Sequence, residues 1–94
     1  MAKYSLNIYG KNEEILKTHE TNICPWAVYV RAAELQEELK GKSVIEKMNA
    51  VGDLLQCLFD ELTKDDLLHA DGGDVMNLFQ QIVNVGSGMK HPKN

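Results

Sequence analysis

The sequence predicts an α+β fold that is mainly α, with an N-terminal β-hairpin followed by three main helices and one short helix. Three observations predict it. Tyr4, Leu6 and Ile8 alternate with Ser5 and Asn7, which is the period of a strand with one buried face. Val44, Ile45, Met48, Val51, Leu55, Leu58, Phe59 and Leu62 fall largely on steps of three and four, the period of a helix with one apolar stripe. Ser43-Val44-Ile45-Glu46 and Thr63-Lys64-Asp65-Asp66 are cap sequences, in which side chains bind amides that the first helical turn leaves unpaired.

Taken in order, residues 3–9 read as a strand and 10–13 (Gly-Lys-Asn-Glu) as a turn. Residues 14–21 return as a less strongly marked second strand. A two-stranded ribbon is marginal alone, so it is expected to lean on the helices or to pair with another chain. Pro25 suits a first helical position, where an amide would be unbonded anyway, and Gly41 suits a helix stop, giving a helix over 25–40. Its core stripe is Val28, Ala32, Leu35 and Leu39, with Trp26, Tyr29, Val30 and Ala33 broadening the first half. The short Gly41-Lys42 link implies an antiparallel helical hairpin with the next helix, read over 43–62. Leu54 and Cys57 widen that helix's stripe, and Gly52 suggests another element packing close. A short helix over 64–69 follows. A last one over about 73–85 buries Val75, Met76, Phe79, Ile82 and Val83; Gly86-Ser87-Gly88 ends it, and 89–94 read as a flexible tail. The expected core is Val28, Ala32, Leu35, Met48, Val51, Leu55, Leu58, Phe59, Phe79 and Ile82.

Ninety-four residues make one domain, here residues 1–88, with one modest core. A net charge of -4 and scattered basic residues argue against binding nucleic acid through phosphate neutralisation. No apolar run is long enough to cross a bilayer, and Met1-Ala2-Lys3-Tyr4 leads into alternation rather than a signal peptide. No membrane association and a cytoplasmic location are therefore expected. Cys24 and Cys57 read as free thiols, Cys57 as a small buried hydrophobe.

Few residues look chemical. Asp71-Gly72-Gly73-Asp74 lacks the alternating ligands and closing glutamate of a calcium loop, and reads as a helix cap and turn. His19, His69 and His91 have no partner at metal-ligand spacing and read as surface or edge residues. Asp60-Glu61 and Asp65-Asp66 are neighbours whose side chains diverge on a helix, so they suit helix-start charge better than acid–base work. No serine sits in a nucleophile pattern. The expectation is no catalytic residue, no metal and no cofactor. Trp26 and Tyr29 are core by default; with Val30 they are also the candidate partner-binding residues, since aromatics anchor interfaces.

The succession of the opening strand over 3–11, Cys24-Pro25-Trp26-Ala27-Val28, Ser43-Val44-Ile45-Glu46, Leu62-Thr63-Lys64-Asp65-Asp66-Leu67, Asp71-Gly72-Gly73-Asp74-Val75 and Phe79-Gln80-Gln81-Ile82-Val83 resembles a known family. It is similar to the tail assembly chaperones of long-tailed, non-contractile (siphovirus-type) bacteriophages and related prophages, over residues 3–86. The resemblance implies a non-enzymatic protein of the host bacterial cytoplasm that binds the tape measure protein and helps the tail tube protein polymerise around it. It carries over no active-site residue. It also implies that ribosomal frameshifting can append a second domain, and Pro92-Lys93-Asn94 can be encoded with a slippery heptamer. A homo-oligomer is possible within this reading. The alternative is a small regulatory module, antitoxin-like or anti-repressor-like, that sequesters one partner. A stand-alone enzyme using Cys57 or a histidine comes third.

Overall fold

A computed structural model describes the backbone of residues 3–88 and side-chain surroundings up to Asn84. Its elements are β1 (Tyr4–Tyr9), β2 (Ile15–Thr21), α1 (Trp26–Glu38), α2 (Val44–Leu58), α3 (Lys64–Leu68) and α4 (Gly72–Gly88). This is the α+β, mainly α order that the sequence predicts. The expected tail at 89–94, with His91 and the Pro92-Lys93-Asn94 stretch, lies outside the described residues.

The strands form an antiparallel hairpin in which Tyr4 faces Thr21, Leu6 faces His19 and Ile8 faces Lys17. Opposed residues of an antiparallel pair share a face. The body-facing side is therefore apolar on β1, where Tyr4, Leu6 and Ile8 are all buried, and polar on β2. The turn closes through Gly10 N donating to Glu14 O and Glu13 N donating to Gly10 O, with Glu13 in the left-handed region at φ 66. Beside this turn, Ile8 bridges Ala70 and Tyr9 N donates to His69 O, tying the turn end of the hairpin to the α3–α4 junction.

α4 covers β1 and α1, while α2 packs on both helices. The shortest dimension is 20 Å, room for two layers of elements. With only two layers, every helix keeps an outer face. The core gathers β1 with Val28, Ala32 and Leu35 of α1; Val51, Leu54, Leu55 and Leu58 of α2; Phe59 and Leu62; and Leu78, Phe79, Ile82 and Val83 of α4.

Helix boundaries differ from expectation in instructive ways. Pro25 is the N-cap of α1, not its first residue, because its ψ of 149 is extended. Gly41 takes φ 79 in the link to α2, the backbone that only glycine adopts without strain. α2 stops at Leu58 rather than Leu62, because Phe59 swings to an extended ψ of 104. Phe59 and Leu62 remain buried beyond the helix, in a turn closed by Leu62 N to Phe59 O and by Gln56 Nε2 to Leu62 O. α4 starts one residue early, on an Asp71 side chain that accepts from Asp74 N at 2.9 Å, and continues through Gly88.

Five burial assignments are corrected, the first being Trp26, core by default in the sequence but 64% exposed on the outer side of α1. Met48 is 62% exposed and belongs to no core, although its spacing is right. Cys57 is exposed, since six residues after Val51 it has turned about 240° from the buried line. Met76 is exposed, and Leu78 takes its place in the core. His19, expected at the surface or an edge, does lie on the edge strand β2, but its side chain is only 10% exposed and rests against Asp66 of α3. The close approach expected at Gly52 is present, as a Cβ there would meet Leu67 Cδ1 of α3 at 3.2 Å.

Candidate functional site

Three places carry more than packing. The first is the outer face of α1. Trp26 is 64% exposed and Val30 39%, one turn apart on the side opposite Val28 and Ala32, with exposed Ile23 just before the helix. Tyr29, the third candidate partner-binding residue, points elsewhere. It is half-buried, and its hydroxyl meets the Tyr4 hydroxyl at 2.5 Å. That hydrogen bond, together with burial, pushes the Tyr29 phenol up, so it stays neutral and structural. Beside it, burial pushes the Cys24 thiol up despite the Tyr29 hydroxyl and Lys3, which keeps it protonated and weakly nucleophilic. The structure thus leaves Trp26 and Val30 available to a partner and places Tyr29 in the hairpin–helix joint.

The second place is the start of α2. Every residue from Gly41 to Asn49 is exposed; on one side Glu46 and Asn49 border a groove shared with the end of α1, and the apolar side is uncovered. Val44, Ile45 and Met48 lie within it. What keeps these turns helical is local chemistry. Ser43 Oγ accepts from Glu46 N at 3.2 Å, and Glu46 Oε1 accepts from Ser43 N at 3.3 Å, a complete capping box. The Ser43 amide and hydroxyl, with nearby Lys42, hold the Glu46 carboxyl below its ordinary range. Sequence periodicity sets all three on the apolar stripe and Met48 in the expected core, because it reports which residues share a face, without reporting whether anything covers it.

The third place is Asp66, 6% exposed and the buried charged residue of the described core. It caps α3 through the backbone amide of Thr63 at 3.4 Å, while Thr63 Oγ1 accepts from Asp66 N at 3.0 Å. The same carboxylate takes His19 Nε2 at 3.1 Å and Lys17 Nζ at 3.2 Å from β2. Burial pushes its carboxyl up, but Lys17, the Thr63 amide and His19 outweigh that and hold it below the ordinary value. The His19 ring also lies 6.1 Å from the Phe59 ring, tilted 42°. Cap chemistry was readable at Asp66. Its grip on the hairpin was not, because nothing local in sequence links residues 17 and 19 to 66.

Three donors, Lys17 Nζ, His19 Nε2 and the Thr63 amide, converge on the Asp66 carboxylate, so the cluster clamps the hairpin to α3. Among the described residues, no group of three or more His, Cys, Asp or Glu side chains is arranged to hold a metal ion. No described helix is long and apolar enough to cross a membrane. No protein-family model, curated protein or solved structure matches the chain.

Proposed function

We propose that this protein is a non-enzymatic tail assembly chaperone of a siphovirus-type phage or prophage, acting in the host bacterial cytoplasm. It binds the tape measure protein and promotes assembly of the tail tube protein around it. The observation that carries the reading is the set of large apolar side chains left uncovered on two helices: Trp26 and Val30 on α1, and Val44, Ile45 and Met48 on α2. A long apolar helical client presents stripes at three- and four-residue spacing, which such faces match by helix-to-helix packing. The resemblance in element order over residues 3–86 supports the same reading, and a net charge of -4 helps to keep a chaperone–client complex dispersed.

Co-expression with tape measure fragments tests it. The fragments are expected to remain in solution and co-elute with the chain, and to precipitate without it. A gene flanked by a tail tube gene and a very long tape measure gene is expected as well. Fragments that aggregate equally with and without the chain would remove the chaperone reading, and a neighbouring toxin gene would favour the sequestering module instead.

A further inference from the structure

We infer that the leading turns of α2 are a docking surface for a single amphipathic partner helix whose apolar stripe is flanked by carboxylates. The inference deepens the chaperone reading, and rests on it for the identity of the natural client. Val44 and Met48 lie on the line that continues through Val51, Leu55 and Leu58. Along the body this line is covered by the rest of the fold; at the leading end the same line is bare, with Val44, Ile45 and Met48 exposed at 69%, 71% and 62%. Continuity of the stripe means that an added helix would extend an existing packing layer rather than found a new one.

The size of the patch selects the occupant. The three side chains expose roughly 300–400 Å² of apolar surface, the scale of functional patches on monomers. A stable dimer takes about 800 Å² from each partner, so this surface is too small to hold a second copy by itself. Two turns of one helix match it.

The charge around the patch selects the flanks. Glu46 keeps its charge but sits in the Ser43 cap on the side of the helix opposite Val44 and Met48, and Lys40 pairs with Glu37 at 3.2 Å. Lys42 and Lys47 form no ion pair among the described residues, and Lys47 borders the stripe directly. The accessible cations therefore favour carboxylates on the incoming helix. The capping box keeps the surface helical before anything binds, which lowers the ordering cost of docking.

Two synthetic helices with one shared leucine stripe, flanked by Glu in one and Lys in the other, test this against the full chain by calorimetry. The Glu-flanked helix is expected to bind at least tenfold tighter, with the gap narrowing at high salt. The double substitution Val44→Ser/Met48→Ser is expected to weaken it at least tenfold, and Leu68→Ser, at an exposed position of α3 outside both apolar faces, to leave it unchanged. Circular dichroism checks that each variant keeps its fold. Equal affinity for the two helices, binding of neither, full binding by the double variant, or a dimer of the free chain that the double variant dissolves would each overturn the surface. Tape measure fragments in the same assay separate the two readings. Fragment binding that survives Val44→Ser/Met48→Ser keeps the chaperone function and overturns this surface; capture of the Glu-flanked helix with no capture of fragments does the reverse.

Discussion

The two halves of α2 share one apolar pattern and meet different fates. Val51, Leu54, Leu55 and Leu58 are buried, whereas Val44, Ile45 and Met48 stand in solvent on the same helix. The halves also differ in what holds them helical. The second half is helical because α1 and α4 pack on it; the first is helical because Ser43 and Glu46 complete a capping box. Packing and capping are separable sources of helix stability, and only the first consumes the apolar face. A helix secured by its cap can leave that face for another molecule.

Substitutions sharpen this contrast in order of size. Leu55, with 0% exposure, is at the centre of the packed half, and Leu55→Ala is expected to cost about 2–5 kcal/mol by denaturant unfolding. Less than about half a kilocalorie per mole would mean that the packed half is not packed.

Asp66→Ala comes next, at about 2–3 kcal/mol, since it removes the α3 cap and leaves His19 and Lys17 without their partner. The pH dependence follows from the direction of the shift. A carboxyl held below its unfolded value contributes stability that is present above that unfolded value, about 3.9, and disappears as pH falls through the folded one. Asp66→Asn is therefore expected to flatten the acid limb of the stability curve; an unaltered acid limb would show that the clamp contributes nothing.

Gly52 stands at the border of the two halves. Gly52→Ala is expected to add up to about 1 kcal/mol through helix propensity, because the Leu67 methyl at 3.2 Å is the end of a half-buried side chain and can move aside. Destabilisation by thermal melting would show that α3 is held rigidly there. Met48→Ala is the smallest effect, under about half a kilocalorie per mole, as befits an exposed residue.

How much was legible in the sequence follows from the range of each signal. Alternation at Tyr4–Tyr9, the caps at Ser43 and Thr63 and the glycine stop at Gly41 are local, and each predicted its element. What failed depends on partners distant in the chain. Met48 falls in the expected core because a stripe does not disclose where its cover ends, and His19 reads as a surface or edge residue because Asp66 is forty-seven residues away. Cys57 differs for another reason: the sequence reading counts it as widening the apolar stripe, whereas its angle on the helix sets it outside the buried line. Of the candidate partner residues, Trp26 and Val30 are exposed, while the hydroxyl contact with Tyr4 that withdraws Tyr29 spans two elements and leaves no local trace.

The most direct test of the contrast is amide hydrogen exchange along α2 in the free chain. Amides of Lys47 to Asn49 are expected to exchange through local opening, at rates far above those of Leu54 to Leu58, which require global unfolding. Adding the Glu-flanked helix is expected to slow the first group and leave the second unchanged. Uniform protection along α2 in the free chain would contradict the account, because it would mean that its leading turns are already covered.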